Sequence, residues 1–91
     1  MHLSFDPAKN ERNIEERGLA FNLVSDLDWA NALIAEDTRK NYGERRFRVL
    51  GRINERLYAV VFTPRANKLH VISLRKANSR EVERYGKTPK P

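Results

Sequence analysis

Several side chains able to grip or protonate a phosphate gather near the end of the chain. Arg75 and Lys76 close an apolar alternation, and Arg80 and Tyr85 follow in a helix-forming stretch. Arg46 and Arg48 add two cations on an earlier alternating segment. A planar guanidinium meets two phosphate oxygens at once, and in a site sheltered from water it stabilises charge that appears during phosphoryl chemistry. Tyr58 and Tyr85 offer a face for stacking a base and a hydroxyl for hydrogen bonding. These residue types point to the backbone of a polyanion.

Other chemistries lack their parts. A phosphate loop needs clustered glycines so that backbone amides can approach the anion, and the four glycines here are scattered. His2 and His70 stand alone, without the convergent donors of a metal site or the partner acid of a catalytic histidine. Asp26-x-Asp28 and Glu36-Asp37 read as caps and loop ends. Cysteine is absent, which excludes disulfides, thiolate metal sites and a cysteine nucleophile, and accords with a reducing cytoplasm. No cofactor and no metal are expected.

The elements that must position the cations come from one small domain. Ninety-one residues with 40% apolar content suit a single core, expected over residues 1–86 with a flexible tail at 87–91. No stretch approaches the ~18–20 apolar residues of a membrane span, and the first residues do not have the pattern of a signal peptide. The net charge of +6 hides a division. Residues 1–38 carry three basic and eight acidic side chains, a balance of −5, whereas residues 39–91 carry fifteen and four, a balance of +11. The expected surface is bipolar, with its basic side drawn to a polyanion.

Local signals place the elements. Residues 2–5 read as a short strand. Asp6-Pro7 is an N-cap followed by proline at the first helical position, and the helix should run through Arg17 and stop at Gly18. Its apolar stripe is thin, Ala8 and Ile14 with the flanking Phe5 and Leu19, so one edge alone should pack. Phe21, Val24, Leu27 and Trp29 have the spacing of a second short helix, and residues 32–37 form a strand before a polar loop at 38–44.

The basic half is mostly strand. Phe47, Val49 and Ile53 alternate with Arg46, Arg48 and Arg52, giving one apolar and one cationic face. Residues 57–63 are apolar on both faces, as in a central strand, and residues 69–74 return after a turn at Pro64–Lys68. Short connections make these strands antiparallel. Asn78 and Glu81 have the spacing of a capping box that opens the last helix. The expected fold is α+β, with two N-terminal helices on one face of an antiparallel sheet and a short C-terminal helix.

Three stretches, "FDPAKNERNIEERGLAF", "GERRFRVLGRI" with "LYAVVFT", and "ISLRKANSREVERY", together resemble the BrnT toxins of type II toxin–antitoxin modules, a branch with a RelE-like fold. Asp6, Pro7, Ala8, Lys9, Asn13 and Gly18 fit the family's opening, with Arg17 where the family usually has a histidine. The family's Glu-Arg before a strand falls on Glu44 and Arg45. Its closing pattern falls on Ile72, Ser73, Arg75, Ala77, Glu81 and Tyr85.

The resemblance implies a cytoplasmic endoribonuclease that stops translation by cutting RNA. It further implies a cognate DNA-binding antitoxin of the ribbon-helix-helix type, resembling BrnA, that silences it in a heterotetramer. RNA can be cut by its own 2′-OH, so such an enzyme positions the strand and stabilises the charge on phosphorus, without metal. On this reading Arg75, Lys76, Arg80, Tyr85 and Glu44 are catalytic, with Lys76 or Glu44 as general base, and Arg45, Arg46, Arg48 and Tyr58 bind RNA. Two other classes use the same basic face: a nucleic-acid module that leaves RNA intact, and a docking surface for an acidic protein.

Overall fold

The computed structural model describes residues 1–91. Five strands, β1 (Leu3–Phe5), β2 (Leu33–Glu36), β3 (Phe47–Ile53), β4 (Arg56–Arg65) and β5 (Lys68–Lys76), form one sheet in the order β1-β5-β4-β3-β2. Two α-helices, α1 (Pro7–Arg17) and α2 (Ser79–Lys87), and two 3-10 turns, Phe21–Asp26 and Trp29–Asn31, complete the fold.

Alternation gives each side of the sheet its own cover. Val49, Val60 and Leu74 occupy one row of neighbouring strands and pack with Phe21 and Val24 of the first 3-10 turn and with Leu27 just after it. On the opposite side Leu50, Leu57 and Ala59 pack with Tyr85 of α2. Gly51 marks how closely the turn is pressed down: a Cβ there would lie 2.4 Å from Leu27 Cδ2. Only a residue without a side chain permits that approach.

The sheet is mixed, which corrects the antiparallel expectation. β1 runs parallel to β5, pairing Leu3 with Leu69, Ser4 with His70 and Phe5 with Val71. The short-connection rule holds for β3, β4 and β5, and β2, joined to β3 by the longer loop 37–46, is antiparallel as well. The rule is silent on β1, whose partner lies more than sixty residues away and is reached by a long crossover. Where a second α-helix was expected the chain makes the two 3-10 turns. Bonds to other elements hold this stretch at both ends: Phe21 N–H donates to Asn10 Oδ1 and Asp28 N–H to Arg52 O, each at 2.8 Å.

α1 begins and ends as its caps dictate. Asp6 Oδ1 accepts from Ala8 N–H at 2.9 Å, and Gly18 takes φ of 69°. Its packed residue, however, is polar: Asn13 is buried, while Ile14 is 39% exposed. Asn13 Nδ2 donates to Leu19 O at 2.8 Å and Leu74 O at 3.1 Å, and its Oδ1 accepts from Arg17 at 2.8 Å. The helix is thus fastened to β5 by an amide, and Arg17 serves that amide.

The turn between β4 and β5 is shorter than expected. Pro64 and Arg65 continue β4, and only Ala66 and Asn67 turn, at φ of 47° and 64°. This is the two-residue geometry that matches strand twist. β3 pairs no further than Phe62, so the N–H that Pro64 lacks has no neighbour to miss.

Candidate functional site

α2 covers only one end of its side of the sheet. Beside it lies an open cavity of about 560 Å³, floored in part by Ala59 and Val61 of β4 and walled by Leu33 and Leu50. Arg48 enters from β3, Arg75 and Ser73 from β5, Arg39 from the loop after β2, and Asn78, Arg80, Glu81 and Arg84 from the start of α2.

Strand register sets the first of these. Arg48, Val61 and Ser73 form one cross-strand row, and Leu50, Ala59 and Arg75 form the next. All six therefore project to the same side. α2 is set by its capping box: Asn78 Oδ1 accepts from Glu81 N–H, and Glu81 Oε1 accepts from Asn78 N–H, both at 2.9 Å. One turn separates Arg80 from Arg84, so both stand on the same flank of the helix.

The cations differ in what they already hold. Arg48, Arg80 and Arg84 form no ion pair within the chain. Arg75 donates from Nη1 to Glu81 Oε1 at 2.7 Å and from Nη2 to Glu81 Oε2 at 2.9 Å. That fork holds the Glu81 carboxyl below its usual range, against the opposing effect of burial, and raises Arg75. Arg39 is likewise engaged, its Nε and Nη2 each 2.9 Å from an oxygen of buried Asp37. The Arg39 hydrogen bonds hold Asp37 far below the usual carboxylate range although burial opposes them, and Tyr42 OH, 3.0 Å from Oδ2, adds to the effect.

Several side chains expected at the site stand outside its lining. Glu44 accepts from Arg65 at 3.0 Å and pairs with Arg46 at 3.4 Å, and these partners keep its carboxyl low. Arg46 lies 4.2 Å over the Tyr42 ring. Its Nε is buried without a hydrogen bond, so the longer contact with Glu44 acts as a charge pair. Arg45 is paired with Glu36 at 2.9 Å. Lys76 is exposed, directly opposite Tyr58 across β4 and β5, and Tyr58 packs on the core of the other sheet face. Tyr85 is buried; its hydroxyl donates to Asn31 O at 3.0 Å, and Arg52 lies over its ring. His70 shares a hydrogen bond with Ser4 across β1 and β5, at 2.9 Å.

Arg39, Arg84 and Glu81 are the lining residues with charge that the sequence did not single out as functional. Arg84 had a legible signal, its four-residue spacing from Arg80 on a capped helix. Glu81 was legible as a cap and as part of the family's closing pattern, without a role in the site. Arg39 had none, because its place depends on the fold of the whole loop.

No three His, Cys or carboxylate side chains converge, and no helix is long and apolar enough to cross a membrane. Cations around an apolar-floored cleft on one side of a mixed sheet define a class, a small α+β domain with a basic cavity. The family described as the ribonuclease toxin, BrnT, of type II toxin–antitoxin systems matches residues 5–81, and the chain belongs to that family. Its members are ribonuclease toxins, and a type II module pairs such a toxin with an antitoxin. No curated protein matches the chain.

Proposed function

We propose that the chain is a RelE-like endoribonuclease that cuts RNA in this cavity and thereby stops translation in the cytoplasm. The observation that carries the reading is the convergence of Arg48, Arg80 and Arg84, none of them paired within the chain, with the oriented fork of Arg75. The ribose 2′-oxygen loses its proton and attacks the adjacent phosphorus. The P–O5′ bond breaks, leaving a 2′,3′-cyclic phosphate and a 5′-hydroxyl. Arg48 and Arg84 clamp flanking phosphates, while Arg75 and Arg80 stabilise the charge that grows on the phosphoryl oxygens. Lys76 and Glu44 lie outside the lining, so proton transfer is assigned to water and catalysis to positioning and charge, without metal.

The partner is proposed as an antitoxin of the ribbon-helix-helix type that covers the basic side and forms a heterotetramer with the toxin. The test is incubation of purified protein with end-labelled RNA in the presence of a chelator. Cleavage giving cyclic phosphate and 5′-hydroxyl ends is expected. RNA bound but left intact would overturn the reading in favour of a non-catalytic module.

A further inference from the structure

Arg75 is held in an unusual way for a residue that must meet phosphate. Its guanidinium has two edges able to form paired hydrogen bonds, one between Nη1 and Nη2 and one between Nε and Nη2. Glu81 takes the first edge with both carboxylate oxygens, and Lys76 O accepts from Nη1 at 3.3 Å. The second edge makes no hydrogen bond within the chain, although the Arg75 side chain is 43% exposed. Glu81 itself is 14% exposed and is fixed a second time by the α2 cap, where its Oε1 accepts from Asn78 N–H. It is also the one carboxylate that lines the cavity.

The geometry points to Glu81 as a positioning residue for cleavage: it locks the Nη1–Nη2 edge of Arg75 to the N-terminus of α2 and thereby presents the Nε–Nη2 edge to the scissile phosphate. This inference rests on the reading of the cavity as the site of RNA cleavage. A carboxylate beside a phosphate site weakens ground-state binding of the polyanion, since like charges repel. A group placed there serves the chemical step if the orientation it imposes matters more in the transition state than the repulsion does. Freed from Glu81, Arg75 would still attract RNA, but its fork would wander among rotamers, and a misplacement of about 1 Å can cost about 10² in rate.

Two measurements decide this. The first follows the Arg75 Nε–H signal by side-chain NMR in the unaltered protein while RNA carrying a 2′-deoxy substitution at the cut site is added. A shift of that signal on binding is expected, and its absence would overturn the proposal. The second compares single-turnover cleavage with affinity for the same uncleavable RNA. Glu81→Gln keeps an acceptor for Asn78 N–H but loses the charge and one acceptor for Arg75. It should slow cleavage of bound RNA by about tenfold or more while leaving affinity equal or tighter. Glu55→Gln removes the same charge from the turn between β3 and β4, where Glu55 is exposed and forms no ion pair, and should leave the rate unchanged. In an Arg75→Lys background Glu81→Gln should add no further loss. If the unaltered protein cleaves and Glu81→Gln cleaves equally fast, only the positioning role falls; if the unaltered protein leaves RNA intact, the cleavage reading falls and takes this one with it. A parallel loss of rate, affinity and melting temperature would reduce Glu81 to a helix cap.

Discussion

Arg48 and Arg75 stand on strands that never pair, yet they line one cavity because β4 between them presents small side chains, Val61 and Ala59, in their two cross-strand rows. Two strand spacings, about 10 Å, separate their backbones. Small side chains on the intervening strand leave the gap open.

On the proposed reading the two arginines have different tasks, clamp and catalyst. Arg48→Ala should weaken RNA binding and reduce its salt dependence by about one counterion. Arg75→Ala should instead slow cleavage of bound RNA by about 10² while changing affinity little, and should relieve growth arrest when the protein is expressed alone. Filter binding across a salt series, set beside single-turnover rates, checks both. Parallel loss of binding and rate in the two variants would show one undivided electrostatic surface.

Filling the floor should close the site without harming the core. Val61 lines the cavity and is only partly buried, so Val61→Phe should change stability by no more than about 1 kcal/mol and keep a β-favouring residue in the strand. Cleavage should drop at least about tenfold, with the thermal unfolding midpoint nearly unmoved. A variant that cuts at the original rate would put the RNA path elsewhere.

Tyr85 tests whether a hydroxyl close to the site is part of it. Its OH is spent on Asn31 O, so Tyr85→Phe should cost about 1 kcal/mol of stability and leave cleavage unchanged. Denaturant unfolding and a cleavage assay at the same temperature suffice. A large rate loss in a stably folded variant would return the hydroxyl to the chemistry.

Acid should loosen the loop that carries Arg39 toward the cavity. The Asp37 carboxyl is depressed in the folded chain, so the unfolded chain binds more protons at low pH. Stability from Asp37 is therefore full above the unfolded value near about pH 4 and is lost as pH falls below it. The melting temperature should fall more steeply from pH 6 to pH 3 in the original protein than in Asp37→Asn, which should start lower and run flatter. Identical slopes would assign the acid sensitivity to other carboxylates.

What the sequence disclosed was local. The caps at Asp6, Gly18 and Asn78, the alternation of Arg48 with Val49, and the turn before Lys68 each depend on neighbours a few residues away, and all are present in the structure. The pairing of β1 with β5, the burial of Asn13 beneath Leu74 O and the capture of Glu44 by Arg65 join residues twenty to seventy positions apart. No periodicity encodes them. The same limit applied to the site: its residue types could be read, but which cations were already paired depended on tertiary neighbours.

The parallel strand at the sheet's edge has a consequence for the order of assembly. Leu3 and Phe5 find their partners only at Leu69 and Val71, so the first strand to be synthesised must wait for the last. A chain interrupted anywhere before β5 lacks Arg75 and the whole of α2 and leaves β1 without its neighbour. On the proposed reading unfinished copies lack the cleavage site, and activity begins only when the sheet is complete.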